Sequence, residues 1–458
     1  MSRKPNILLI FADQMRGHDV RAMGNRQIQT PNMDRLASEG ALCTNGISNC
    51  PVCTPNRGIL LTGTHPTRHH ALANDMPIRA DLPSLGSVLR NAGYRTGYIG
   101  KWHLDGVPRD KFTPPGERRL GFDDFWAAWN CHHQYFDGKY FTDTDEVRHF
   151  DGYEPEGQTD LAIDFVKNHS DEPFGLVVSW GPPHAPYELV PDRYLGKYDP
   201  ADIDLRPNIG AQSDTARQKW QETLARYYAA ITALDDNLGR LMQTLEELEI
   251  ANDTLVIFTS DHGDMLGSQE TTKKEKPWEE SILVPLMWRC PSILPQGHRT
   301  EALIGTMDIL PTILDLLEID CPETIQGRSC APFLRKSKEP EPANVPVGVP
   351  VIVDQGASQE FPEWRGVRTN RYTYARRIEE DSWLLYDNLK DKFQQHNRID
   401  APRLKAIRDE LNQEVDGWMQ HLGDPELPWE DMIYELDLVE AWNARERYMH
   451  GENARLLD

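Results

Sequence analysis

Apolar and polar positions along the chain follow two periods. Short, nearly unbroken apolar runs occur at NILLIF (Asn6 to Phe11), YRTGYIG (Tyr94 to Gly100), FGLVVSW (Phe174 to Trp180) and TLVIFTS (Thr254 to Ser260). Runs of this length and composition predict strands buried on both faces. Between them lie stretches with apolar residues three or four apart. One follows Thr30 and Pro31 and stops at Gly40, one is LPSLGSVLRNAG (Leu82 to Gly93), and one lies near Met307 to Leu317. The longest covers Ser213 to Leu248, with Leu224, Tyr228, Ile231, Leu234 and Leu238 on one face. Buried strands alternating with such helices predict an α/β fold. Each strand run ends in polar or ionisable residues: Asp13 and Gln14, then Lys101 and His103, then His184, then Asp261 and His262. Open α/β sheets bind ligands at the carboxyl ends of their strands, so these residues are expected to meet in one cleft.

The stretch Arg335 to Pro350 is rich in Pro, Lys and Glu and reads as a linker. It divides the chain into an N-terminal catalytic region, 1–340, and a smaller C-terminal region, 341–458. The latter offers strand candidates at Val349 to Val353, Gly366 to Ala375 and Trp383 to Tyr386, and helices near Pro402 to Leu422 and Pro428 to Tyr448.

Composition narrows the function classes. With 49 Lys and Arg against 72 Asp and Glu in 458 residues, the formal charge is −23, which argues against a nucleic-acid surface. It also means that an anion site needs local cations or a metal to reverse the long-range field. No stretch approaches the roughly 18 apolar residues of a membrane span, so no membrane association is expected. The apolar run from Asn6 is too short for a signal-peptide core. The expected compartment is the cytoplasm for a complete chain, and the periplasm or exterior for one whose leader has been removed. Seven cysteines, an odd and sparse set, are expected to be mostly reduced. Homo-oligomerisation is left open by the sequence.

The most informative run is CPVCTPNRG, Cys50 to Gly58. As a CPVC pair it could exchange disulfides. With His65, His69 and His70 it could bind zinc, although a second cysteine pair at ligand spacing is missing. As CTPNR it matches a formylglycine signature, a Cys two residues before Pro and four before Arg.

Context separates these readings. CTPNR is followed by GILLTG, and the chain also carries Asp13–Gln14, GYRTGYIGKWH (Gly93 to His103), PPHAPY (Pro182 to Tyr187), SDHGDMLG (Ser260 to Gly267) and KKEKPWEESILVPL (Lys273 to Leu286). In that order and spacing, over roughly residues 5 to 320, the chain resembles the formylglycine-dependent sulfatases of the alkaline-phosphatase superfamily. The resemblance implies a large mixed, mostly parallel sheet flanked by helices, with a smaller C-terminal α+β subdomain containing an antiparallel sheet. The segment Trp364 to Arg377 resembles the family's closing sheet.

The resemblance also implies roles. Cys53 becomes formylglycine, installed by a formylglycine-generating enzyme, and its hydrate attacks the sulfur of a sulfate ester. Asp13, Gln14, Asp261 and His262, with the modified Cys53, hold one divalent cation: calcium first, since hard oxygen donors suit it, with manganese or magnesium as alternatives. The commonest sulfatase pattern has a second Asp where Gln14 stands. Arg57 holds the nucleophile, Lys101 and Lys274 hold sulfate oxygens, His103 serves the nucleophile's hydroxyl, and His184 serves the leaving group. Lys273 and Lys276 are the alternatives to Lys274.

The substrate implied is a sulfated small molecule or saccharide, with a carbohydrate sulfate ahead of an aryl or choline ester. A phosphonate or phosphate ester hydrolase of the same superfamily is the rival, favoured by Gln14 and opposed by Lys101 and His103. A non-catalytic binding protein would be expected to have lost Cys53 or Arg57. Trp102, His132, His133, Tyr135, Tyr187 and Trp278 are candidates for the pocket wall.

Overall fold

The computed structural model describes residues 4–211, 213–336, 341–350, 363–378 and 380–458. The first strand, Asn6–Asp13, shows why the runs read from the sequence become the centre of a sheet. All eight residues are buried, Ile7, Leu9 and Phe11 in one apolar cluster and Leu8, Ile10 and Ala12 in another. Period-two alternation with both sides apolar is what a strand between two helical layers requires. Truncating Ile10 to Ala would cost about 2–5 kcal/mol, because neither layer can close the gap.

This strand pairs in parallel with Phe174–Pro183 on one side and Thr254–Ser260 on the other. Arg95–Lys101 extends the parallel order beyond Phe174–Pro183, and Phe125–Trp129 closes that end. On the other side the short Met287–Arg289 runs antiparallel to Thr254–Ser260, followed by Ala41–Ile47 and His298–Gly305. The sheet is therefore mixed and mostly parallel. Helices Pro31–Ser38, Glu154–Asn168 and Asp214–Glu247 cover one face, while Cys53–Thr62, Leu85–Asn91, Thr306–Leu316 and Ala331–Leu334 cover the other.

The four strand ends expected to share a cleft belong to neighbouring strands, in the order Thr254–Ser260, Asn6–Asp13, Phe174–Pro183, Arg95–Lys101. Gly100 lets the last two approach: a Cβ there would stand 2.0 Å from the Ser179 carbonyl oxygen, and its φ is +105°. That close approach places the Lys101 carbonyl where both Ser179 Oγ (2.8 Å) and Arg57 (2.8 Å) donate to it.

The C-terminal region is a four-stranded antiparallel sheet, Asn344–Val349, Trp364–Thr369, Tyr372–Arg377 and Glu380–Asp387, with helix Lys405–Leu422 packed on it. Four expectations need correction. The stretch read as a linker contains the strand Asn344–Val349, in which Val345, Val347 and Val349 are buried. Pro346 hid it, yet the strand lies at the sheet edge, where proline is tolerated. The strand predicted at Val349 to Val353 ends at Val349, and 351–353, like 337–340 of the linker, lie outside the described residues. The strand predicted over Gly366 to Ala375 is a hairpin that turns at Thr369 to Arg371. The helix predicted over Pro428 to Tyr448 is two, Trp429–Glu435 and Val439–His450. Among the described residues no helix is long and apolar enough to cross a membrane.

Candidate active site

Cys53 is the first residue of a fully buried ten-residue helix, Cys53–Thr62. Pro55 sits in the first turn, where a missing N–H costs nothing, and Gly63 closes the helix at φ +63°. Asn56 ties this helix to the strand Thr254–Ser260 and to the next layer, donating to the Asp261 carbonyl and accepting from Thr306 Oγ1 at 2.7 Å. The helix N-terminus is thereby fixed against the strand ends, with the positive end of its dipole at Cys53.

Around Cys53 Sγ lie His262 Nε2 at 3.2 Å, Asp13 Oδ1 at 3.6 Å and Lys274 Nζ, which donates at 2.9 Å. Asp13 Oδ2 accepts from Lys101 Nζ at 2.5 Å and from Arg57 at 3.2 Å, and the same guanidinium nitrogen lies 3.1 Å from Asp261 Oδ2. Burial alone would raise the Asp13 pKa, but Lys101, His184 and Arg57 hold it well below the usual carboxylate range. Burial and Asp13 would likewise raise Cys53, yet Lys101, Lys274 and His262 hold its thiol well below the ordinary value. The surroundings therefore favour an anion at this position.

The donor set suits a cation. Ligand atoms of Asp13, Cys53, Asp261 and His262 all lie within 4.8 Å of one another, and all four residues are buried. Among the described residues Asp261 Oδ2 accepts no hydrogen bond, and burial together with the Asp13 charge pushes Asp261 up. His262 Nδ1 is 2.9 Å from the Gly263 carbonyl and donates to it, which leaves Nε2 as the nitrogen that faces the cluster. Two like-charged carboxylates and an imidazole nitrogen turned toward them in a buried cluster fit a divalent cation. Gln14 is beside them with φ +70°, its Nε2 donating to Asp264 at 2.5 Å and its Oε1 accepting from Lys274 at 2.7 Å. The amide orientation is thus fixed, oxygen inward.

Of the three candidate lysines, Lys274 is buried with its Nζ 2.9 Å from Cys53 Sγ, Lys276 is buried as well, and Lys273 is exposed. His103, also at positive φ (+57°), places Nε2 3.1 Å from Asp75 Oδ1. Burial would lower its pKa, but Cys131 and Asp75 raise it to about 10. His184 sits in the Pro182–Pro186 turn, its Nδ1 2.7 Å from the Ala185 carbonyl and its ring stacked on His133 at 4.1 Å. Burial, Lys274 and His133 hold it well below 6.5, so in the substrate-free protein it is neutral.

Several sequence expectations fall away. Cys50 and Cys53 are both free, and His65 and His69 belong to other contacts, His65 capping Pro66–His69 and His69 packing against Gly58. Trp102 is wholly buried, edge-on to Tyr98 at 4.8 Å and to Trp126 at 5.0 Å, so it is core. Tyr135 and Trp278 are buried as well, whereas His132, His133 and Tyr187 are partly exposed. Sequence reasoning missed Asp75, Arg109, Cys131, Ser179 and Asp264. Asp75 takes His103 and a two-pronged contact from Arg109, and Asp264 takes Gln14 and the Tyr187 hydroxyl.

Residues 5–319 match the family model described as Sulfatase, and residues 270–421 match the one described as N-sulphoglucosamine sulphohydrolase, C-terminal. An ulvan-active sulfatase of Formosa agariphila is 36% identical over 92% of this chain and 82% of its own. An endo-4-O-sulfatase of Bacteroides thetaiotaomicron is 30% identical over 92% of this chain and 93% of its own. The solved yidJ chain of Bacteroides fragilis superposes with a TM-score of 0.84 at 31% identity, covering 92% of this chain and 97% of that one.

Proposed function

Since this chain belongs to the sulfatase family, and is a sulfuric ester hydrolase on that ground, we propose that it removes sulfate from carbohydrate esters using Cys53 in its formylglycine form. One observation carries the reading: the Cys53 sulfur is the point where the carboxylates, the imidazole and the Lys274 ammonium converge. The carbohydrate assignment draws on the relatives, an ulvan-active sulfatase and an endo-4-O-sulfatase.

Sulfate esters resist attack because the sulfur is ringed by negative oxygens, so the protein must neutralise charge as it delivers a nucleophile. Lys101 and Lys274 supply that charge to sulfate oxygens. Arg57 braces Asp13 and Asp261 and holds the nucleophile's oxygen. Formylglycine supplies a hydrated aldehyde, whose second hydroxyl allows the enzyme–sulfate bond to be broken without water attacking sulfur. Asp13, Asp261, His262 and Gln14 Oε1 are the groups that would hold the divalent ion, calcium ahead of manganese or magnesium. When bound, such an ion acidifies the nucleophile and polarises a sulfate oxygen.

His103 faces the nucleophile as a cation, held so by Asp75 and Cys131, and therefore donates a hydrogen bond rather than removing a proton. His184 meets the leaving-group oxygen. Its Nδ1 is engaged by Ala185, so Nε2 is the atom that receives a proton and passes it on once a bound sulfate raises its pKa.

Mass spectrometry of the Cys53 peptide, paired with sulfate release from sulfated oligosaccharides, an aryl sulfate, choline sulfate and the matching phosphate and phosphonate, tests the reading. Aldehyde mass with preferential sulfate release from saccharides is expected. Turnover confined to the phosphonate or phosphate would replace it with the rival superfamily activity.

A further inference from the structure

Thr54, the residue after Cys53, is bound to the loop between the helices Pro66–His69 and Leu85–Asn91. Its N–H donates to Asn74 Oδ1 at 3.0 Å, and its hydroxyl accepts the Asp75 N–H at 3.3 Å. The buried Asp75 carboxylate then takes Arg109 through Nε and NH2, each at 2.7 Å, and His103 through Nε2. Arg109 is therefore two hydrogen bonds from the residue beside the nucleophile, yet its side chain is 28% exposed. Two of its three nitrogens are committed to Asp75. Among the described residues NH1 has no hydrogen-bond partner and is left at the solvent edge. Cys131 and Cys53 are near enough for their charges to raise its pKa alongside Asp75.

The backbone of the same residue meets an exposed tyrosine. The Arg109 N–H donates to the Tyr448 hydroxyl at 3.3 Å, and Tyr448 is 46% exposed. It is carried by the helix Val439–His450, which lies beyond both matched family regions, and that helix is fastened to the same loop by buried Arg445, whose Nε donates to the Asn74 carbonyl at 2.8 Å. An exposed tyrosine held against the Arg109 backbone, on a residue whose guanidinium keeps one nitrogen unspent, suits a sugar that bears an anion. In a chain of net charge −23 such a group needs a local cation to offset the long-range field.

We propose that Arg109 and Tyr448 form a subsite for an anionic group of the substrate saccharide other than the scissile ester, either a uronate carboxylate or a second sulfate. The inference rests on the carbohydrate sulfatase reading and sharpens it to polyanionic saccharides. The test uses three disaccharides with one scissile sulfate each: one with a neighbouring uronate, its methyl ester, and one with a second sulfate in place of the carboxylate. They are compared in the wild-type enzyme, R109Q and R109K.

A charged hydrogen bond of about 1.5–3 kcal/mol predicts that the wild type favours an anionic disaccharide over the ester by roughly 10-fold or more in kcat/KM, chiefly through KM. R109Q should bring that ratio to within about twofold, with R109K, a cation without the fork, between them. Whichever anionic substrate shows the preference identifies the group. Equal kcat/KM on all three in the wild type overturns the proposal. So does an R109Q enzyme that loses kcat on every substrate but keeps the wild-type ratio, which would make Arg109 only the partner of Asp75. Should the wild type release no sulfate from any of them while cleaving an aryl sulfate, the carbohydrate reading itself has failed and the subsite falls with it.

Discussion

Asp75→Asn isolates one electrostatic contact. In the wild type one carboxylate oxygen serves both His103 Nε2 (3.1 Å) and Arg109 Nε (2.7 Å), and the other serves Arg109 NH2 (2.7 Å). Asparagine has the same shape but only one acceptor. Its NH2 must face either the guanidinium NH2 or the Nε–imidazole pair, and in both cases donor meets donor. An opposite charge at this range is worth about 1–3 pKa units, or roughly 1.4–4 kcal/mol between the two protonation states. His103, lifted to about 10 with Asp75 and Cys131 as its anionic neighbours, should fall by that amount. It would then lose its charge in the neutral to mildly alkaline range.

The sign follows from the raised pKa. In the wild type the stabilisation that His103 gains on folding is complete below its unfolded value near 6.5 and disappears as pH rises through about 10. In the variant that window closes earlier. On the proposed contact of a cationic His103 with the nucleophile, the alkaline limb of kcat/KM should move about 1–3 units toward acid. The assay is a profile of kcat/KM from pH 5.5 to 10.5, each enzyme normalised to its own maximum so that a loss of stability does not enter. An alkaline limb that stays in place while the whole profile drops would refute the reasoning, because Asp75 would then be holding structure rather than charge.

Other perturbations have distinct readouts. Lys274→Met should cost about 100- to 1000-fold in kcat/KM, whereas Lys273→Met, at an exposed position, should stay near wild type; equal losses would return the lysine register to doubt. Dialysis against a chelator should lower Tm and calcium should restore it: an ion at 100 times its Kd stabilises by about 2.7 kcal/mol, or roughly 3 °C for 458 residues, and an unmoved Tm counts against the ion site. Asp264→Asn frees the Gln14 amide to turn its nitrogen inward, so metal retention measured by elemental analysis should weaken by about 10- to 100-fold; undiminished retention would show that Asp264 does not orient Gln14. Asp424→Asn strands the buried Arg365, paired with it at 2.5 Å, and should destabilise the protein by about 3–5 kcal/mol in urea; a loss under 1 kcal/mol would mean that water reaches the pair.

What the sequence made legible, and what it hid, follows from how far each residue's meaning depends on its own segment. Asp13, Lys101, His184 and Asp261 could be placed because each ends a buried strand, and parallel neighbours bring such ends to one edge whatever the loops do. Asp75 could not. In ALANDMP it carries the signal of an ordinary turn aspartate, and its task is set by His103 and Arg109, residues 28 and 34 positions away. Asp264 was equally silent, since its contacts with Gln14 and Tyr187 span 250 and 77 residues. In the C-terminal region, Pro346 mimicked a linker because tolerance of proline depends on a strand being at an edge, and that is fixed only when the sheet assembles.

The same division predicts where substrate choice resides. Residues legible from strand ends gather around Asp13 and Cys53, where the proposed reaction takes place. The residues that became visible only in three dimensions, Asp75, Arg109 and Tyr448 in particular, bind the nucleophile's surroundings to the solvent edge through loops and a terminal helix. Loops and termini can change without disturbing the strand ends, so the reacting cluster stays constant while its rim is free to recognise different sugars. Exchanging the Val439–His450 helix for that of a relative should therefore alter which saccharide is preferred while the Cys53 cluster retains its metal. A swap that abolished metal binding and left saccharide preference intact would reverse that assignment.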